Sequence, residues 1–208
     1  VSAAARLGIL GGSFDPPHRG HLHAARAARE AFDLDEVRFV PAARPPHKPG
    51  RVLASGVHRV AMLELLLQDE PGCDVDPREL DRAGPSFTVD TFCELAAEGA
   101  ADLFLILGTD NLPGLPDWRR VEELLGIAQP VVIHRAGAGV DPLAGLAARL
   151  SPEALERLRI GLVATEPYEA SSTELRTFVE RRAGATLPGE LAAYIREHGL
   201  YDTGGATH

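Results

Sequence analysis

A chain of 208 residues with 45% apolar and 25% charged residues has an ordinary globular composition, which excludes the disordered and fibrous classes and leaves room for one full core. Its formal net charge of −9 argues against nucleic acid as the main partner, because that binding relies on Lys and Arg neutralising phosphates. No apolar run approaches the roughly 18 residues of a membrane span, and no charged-then-apolar leader opens the sequence, so a cytoplasmic protein without membrane contact is expected. Any phosphate site must then be a local gathering of donors on an acidic surface. Cys73 and Cys93 have neither metal spacing nor a disulfide framework and read as reduced, partly buried thiols. Lys48 is the only lysine among 21 basic residues; a compact ammonium is not interchangeable with the planar fork of Arg.

In chain order, Arg6 to Gly11 is a short apolar run that reads as a buried strand. A polar loop follows through Gly20, and His21 to Phe32, rich in Ala and long side chains, is a helix by propensity. Val37 to Pro41 is a second strand, and Ala42 to Gly50 a loop stiffened by Pro45, Pro46 and Pro49. Ser55 is placed to cap a helix running to about Gln68, with Val57, Val60, Ala61 and Leu65 on its apolar stripe. Thr88 to Glu98 reads as a helix, Leu103 to Leu107 and Val131 to Ile133 as strands, Pro152 to Leu158 as a helix and Leu162 to Ala164 as a strand. Ser171-Ser172-Thr173-Glu174 fits a capping box opening a helix to about Arg182. A last helix begins near Pro188 and stops at Gly199. Strands alternating with helices predict a doubly wound, Rossmann-like α/β fold, a parallel sheet with helices on both faces. A single domain over residues 1–202 and a disordered tail over 203–208 are expected. Such sheets bind ligands at the carboxyl ends of their strands, and each candidate motif falls just after a predicted strand.

Gly11-Gly12-Ser13-Phe14-Asp15-Pro16-Pro17-His18-Arg19-Gly20-His21 joins the first strand to the first helix. Two glycines let the backbone turn sharply and approach a ligand closely. His21 stands at the expected helix start, where free amides and the dipole favour an anion, and His18 lies three residues earlier. Both imidazoles can therefore reach one phosphate; the plain alternative is a turn with two solvated histidines. The G-x-G-x-x-G fingerprint is absent, which disfavours a hydride-transferring dehydrogenase. His18, His21 and His23 lack the Glu, Asp or Cys that would complete a zinc site. Ser171 to Arg176 can be a simple capped helix start, Trp118 a core residue and Asp110 an N-cap, while Arg119 and Arg120 read as a solvated helix face.

These residues resemble the nucleotidylyltransferase superfamily, and within it bacterial nicotinate-nucleotide adenylyltransferase. His18-Arg19-Gly20-His21 matches the H-x-G-H motif, and Ser171-Ser172-Thr173-Glu174-Leu175-Arg176 resembles I-S-S-T-x-x-R, with Ala170 where the family usually has Ile. The opening G-G-[ST]-F-D-P-P-H runs from Gly11 to His18, the V-P-x-x-x-P-P-H-K loop from Val40 to Lys48, and G-P-S-[YF]-T-x-x-T from Gly84 to Thr91. Gly108-Thr109-Asp110 with Trp118, and the closing Gly199-Leu200-Tyr201, complete the match along nearly the whole chain.

The resemblance implies transfer of AMP from ATP to nicotinate mononucleotide in NAD biosynthesis, giving the dinucleotide and pyrophosphate. It implies that His18 and His21 are the catalytic pair on the ATP phosphates, with the backbone of Gly11, Gly12, Ser13 and Phe14 lining the nucleotide. Ser171, Ser172, Thr173 and Arg176 would meet the β- and γ-phosphates; Lys48 and Arg135 would hold substrate phosphates; Thr88, Asp110 and Trp118 would surround the pyridine and its ribose. Mg²⁺ is expected to arrive bound through the ATP phosphates, with no dedicated protein ligand. ATP and nicotinate mononucleotide are thus the expected partners, and the sequence leaves a homo-oligomer open. The alternatives are pantetheine-phosphate adenylyltransferase or another member of the superfamily, and, outside enzymes, a nucleotide-binding regulator that has lost the chemistry.

Overall fold

The computed structural model describes residues 5–44, 53–99, 102–135, 141–165 and 187–201, with Arg135 described in its backbone alone. Six parallel strands form one sheet: β1 (Arg6–Gly12), β2 (Glu36–Pro41), β3 (Cys73–Val75), β4 (Asp102–Gly108), β5 (Gln129–Arg135) and β6 (Leu162–Thr165), in the order β3-β2-β1-β4-β5-β6. The central β1 pairs with β2 up to Gly12 opposite Pro41, and with β4 up to Leu10 opposite Ile106. The chain winds outward through β2 and β3, then returns past β1 to begin β4. That reversal is the switch point of the doubly wound fold expected from the alternating pattern.

The strands read as continuous apolar runs because both sheet faces are covered. Leu103, Leu105 and Leu107 of β4 join one buried cluster, while Phe104 and Ile106 join the other. The first cluster is closed by α4 (Thr88–Ala97), α5 (Val121–Ile127) and α6 (Pro152–Ile160), through Phe92, Leu124 and Leu158. The second is closed by α1 (Arg19–Phe32), α2 (Gly56–Leu67) and α7 (Gly189–Glu197), through Ala25, Met62 and Leu191. Each such Leu or Phe taken out of water contributes about 1.5–3 kcal/mol.

Three expectations change. The first helix begins at Arg19 rather than His21, with His18 as its N-cap in extended backbone; the polar residues read as loop are its first turn. The α2 stripe is rotated: Val57 is 78% exposed, and the buried face is Arg59, Met62, Leu63, Leu66 and Leu67. An apolar count cannot place a helix whose buried face includes an arginine. The third concerns elements that the sequence pattern did not mark: β3, the one-turn α3 (Arg78–Asp81), a 3-10 helix over Thr109–Asp117 and α5. The cap at Ser55 is observed, its hydroxyl accepting from His58 N at 3.4 Å. The helix expected from Ser171 to about Arg182 and the tail at 203–208 lie outside the described residues.

Behind α4, Thr91 Oγ1 donates to the buried Glu79 carboxylate at 2.6 Å and accepts from Arg82 at 3.2 Å. The last threonine of the Gly84–Thr91 motif is therefore held inside the fold. Thr91→Val is expected to cost about 1–3 kcal/mol by leaving a buried carboxylate short of a donor, with unchanged activity per folded molecule. Urea denaturation beside a turnover assay checks this, and an activity loss without destabilisation would move Thr91 into the site.

Candidate functional site

Five described strand ends deliver the candidate residues to one edge of the sheet. Gly11 and Gly12 end β1, Gly108 ends β4 just before Thr109 and Asp110, Arg135 ends β5, Thr165 ends β6, and Ala42 follows β2. The first of these loops has the most developed geometry. Phe14 takes a left-handed backbone, φ 47°, a conformation costing roughly 1–2 kcal/mol for a residue with a Cβ. Its ring is 2% exposed, edge-on to the His21 imidazole at 4.9 Å and 5.8 Å from Phe39. Ring burial offsets the backbone strain and sets a wall under His21.

The two histidines are coupled through the helix start. His21 N donates to His18 O at 2.9 Å, and His18 N donates to His21 Nδ1 at 3.1 Å. Their ring centroids lie 3.7 Å apart. Because His21 Nδ1 accepts, the proton of the neutral ring sits on Nε2, which becomes a donor. His18 is buried, and desolvation lowers its pKa to about 4, so at neutral pH it is an uncharged imidazole. Its Nδ1 is buried without a hydrogen-bond partner among the described residues. The pair thus presents an uncharged His18 ring and a His21 ring oriented through its Nδ1, beside an exposed glycine. Among the described residues, a Cβ on Gly11 would meet nothing within 4 Å, whereas one on Gly12 would press the Phe14 ring at 3.1 Å. Protein packing accounts for Gly12. No described residue fills the space over Gly11, the condition for close approach of a ligand.

The neighbouring loops are fastened to this one. Ala42 N donates to Gly12 O at 2.9 Å. Ser86 Oγ accepts from Ala43 N at 2.9 Å and Arg44 N at 3.3 Å, and Ser86 N donates to Arg44 O at 3.1 Å. The Gly84–Thr88 segment is therefore stitched to the loop after β2, which brings Thr88, the first residue of α4, to the same edge. Phe87, the N-cap residue of α4, makes no side-chain cap hydrogen bond. Arg119 lies over the Phe87 ring at 4.6 Å, so the segment ending the 3-10 helix sits beside the α4 start. Trp118 is half-buried and packs against the first core cluster, so the core alternative holds for at least part of its ring. Asp110 is exposed, its Oδ1 accepting from Asn111 at 3.3 Å. A Cβ on Gly108 would meet that carboxylate, which would have to turn aside to admit it. Arg120, read as part of a solvated helix face, is the left-handed N-cap of α5 and pairs with Glu123 and Asp90.

Lys48, Ser171, Ser172, Thr173 and Arg176 lie outside the described residues, as does Ala170; of Arg135 the backbone position at the end of β5 is established. Two polar groups at this edge were not singled out from sequence. Arg59 is 2% exposed, and Asp15 1%; arginine on a helix reads as surface, and Asp15 passes as a turn residue. Among the described residues no three His, Cys, Asp or Glu side chains converge as a metal cage, and no helix is long and apolar enough to cross a membrane.

Residues 9–178 match the family described as Cytidylyltransferase-like. A relative from Roseiflexus sp. (strain RS-1), named "Probable nicotinate-nucleotide adenylyltransferase", is 42% identical over 96% of this chain and 99% of its own length. A relative of the same name from Aeromonas hydrophila is 43% identical over 94% and 96%. The fold is similar to a solved Plasmodium falciparum nicotinic acid mononucleotide adenylyltransferase complexed with NaAD, with a TM-score of 0.73 over 95% of this chain and 98% of that one, at 18% identity.

The buried His18 has a consequence for stability. Its folded pKa of about 4 lies below the ordinary 6.5, so between those values the unfolded chain binds more protons and stability rises with pH. The contribution is complete above about pH 6.5 and is lost as pH falls towards 4, by up to about 3 kcal/mol. His18→Gln should flatten that part of the stability-against-pH curve measured by urea denaturation. Parallel curves for the two proteins would mean that His18 titrates normally.

Proposed function

Because the chain belongs to the nicotinate-nucleotide adenylyltransferase family of cytidylyltransferase-like proteins, we propose that it transfers AMP from ATP to nicotinate mononucleotide, forming the acid dinucleotide and pyrophosphate. The observation that carries this reading is the His18–His21 pair at the start of α1, beside the space over Gly11 that no described residue fills, at the switch point.

A phosphate oxygen of the mononucleotide attacks the α-phosphorus, forming one P–O bond as the bond to the bridging oxygen breaks and pyrophosphate leaves. The nucleophile is already ionised, so no strong base is required. The protein's task is to align two polyanions and stabilise charge on the phosphorus oxygens and leaving group. His21 suits the α-phosphate: its Nδ1 is engaged by His18 N, leaving Nε2–H as the donor. His18, neutral at pH 7, stands beside it as a polar ring without a charge of its own. In this reading the backbone from Gly11 to Phe14 lines the nucleotide, and Ser171, Ser172, Thr173 and Arg176 take the β- and γ-phosphates. Lys48 and Arg135 hold substrate phosphate, and Thr88, Asp110 and Trp118 surround the pyridine and ribose. Mg²⁺ arriving with ATP would shield the triphosphate charge, with no dedicated protein ligand among these residues. The start of α4 at Thr88, where Phe87 supplies no side-chain cap, offers amides to the nicotinate carboxylate; an amide in its place would turn an NH₂ toward those donors.

Pyrophosphate release with ATP and a panel of acceptors tests the reading. Nicotinate mononucleotide should exceed its amide in kcat/KM by on the order of 30–1,000-fold; comparable values, or preference for phosphopantetheine, would overturn it. His21→Ala should lower kcat by on the order of 10²–10⁴ with little change in KM, the pattern of an interaction made in the transition state. A variant within threefold of the parent would remove His21 from the role. Gly11→Ala, whose added methyl meets no atom of a described residue, should melt like the parent yet lose roughly tenfold or more in kcat/KM for ATP. Equal loss of stability and activity would instead make Gly11 a folding residue.

A further inference from the structure

Arg59 lies on α2, a helix carrying none of the residues assigned to substrate, yet it is 2% exposed. Withdrawing a guanidinium from water carries a large penalty unless its donors and its charge are both matched. Here its donors meet backbone carbonyls of three separate segments. Nε donates to Ala54 O at 3.0 Å, and Nη1 to Ser13 O at 2.9 Å and Ala42 O at 2.8 Å. Asp15 supplies the opposing charge; its Oδ1 accepts from Ala54 N at 3.1 Å and from the Tyr201 hydroxyl at 2.6 Å. Ser13 belongs to the loop after β1 and Ala42 to the loop after β2. One nitrogen thus ties together the two loops that, on the functional reading above, carry ATP and the mononucleotide.

We propose that Arg59 is a positioning residue for the transfer reaction, setting the separation of the two substrate loops through the Ser13 and Ala42 carbonyls. Removing the guanidinium without replacing its donors would leave these three carbonyls unpaired, so Arg59 contributes stability as well. What a planar fork adds is direction: its donors leave at fixed angles, which a lysine does not reproduce. Each loop can engage its own ligand without this tie. Alignment of the attacking oxygen with the α-phosphorus cannot survive a shift of about an ångström between the loops.

The proposal rests on the adenylyltransferase reading, so its test includes a measurement independent of turnover. Arg59→Lys and Arg59→Gln are made in the full chain and studied well below each melting temperature. The expected result is a kcat lowered about 10–10³-fold, with dissociation constants for ATP alone and nicotinate mononucleotide alone within about fivefold of the parent. Hydrogen exchange of the Ala42 amide, which donates to Gly12 O, should quicken at least tenfold, while that of Leu105 in β4 stays unchanged. If Arg59→Gln does not fold, Arg59→Lys decides alone. A kcat per folded molecule within threefold of the parent, unchanged Ala42 exchange, or equal loss of protection at Ala42 and Leu105 would each overturn the positioning role. A parent enzyme that binds ATP but transfers nothing to nicotinate mononucleotide would overturn the functional reading instead, with the exchange data still judging Arg59.

Discussion

A buried guanidinium, on which three loop carbonyls converge, is the constraint on which this molecule's working edge depends. A parallel sheet delivers loops to its carboxyl edge but does nothing by itself to hold them, and Gly- and Pro-containing segments have many conformations available. Arg59, Asp15 and Ser86 narrow that choice because each is buried and bonded to loop backbone. Any rearrangement would strand a charge or a hydroxyl away from water, which is costly in proportion to its burial. The loops are ordered less by their own sequence than by the polar groups beneath them.

The electrostatic character of the site follows from the same burial. With a net charge of −9, the surface as a whole repels phosphate, though salt confines that repulsion to about 8 Å. The described part of the site answers with oriented dipoles: a neutral His18, a His21 whose tautomer is set by a backbone amide, and helix starts. Such groups need no reorganisation when charge develops nearby, an advantage that a mobile surface cation lacks.

Much of this was legible in the sequence, for identifiable reasons. Long apolar runs such as Leu103 to Leu107 can only be buried strands when both faces are covered, and two histidines after Gly-Gly mark a helix start. The exact start was misjudged because His18 and His21 cap the helix reciprocally with ring and backbone, a use that propensity does not register. β3 is three residues long, too short to express a period, and the segment Thr109–Asp117 carries Pro113 and Pro116 inside a 3-10 turn. Arg59 was invisible for a deeper reason: a buried cation is recognisable only once the carbonyls that receive it have been brought together by the fold. The same holds for Ser86, whose partners lie more than forty residues earlier in the chain.

The bond between Tyr201 and Asp15 spans 186 positions, and it gives the loop after β1 a history as well as a shape. That loop leaves the ribosome well before the phenol that closes on it, 186 positions later. A domain whose parts are joined across such a separation folds as a unit once both are present, so the buried carboxylate reaches its mature arrangement only after Tyr201 has been made. The loop is translated first and completed afterwards, and its geometry belongs to the domain rather than to the segment.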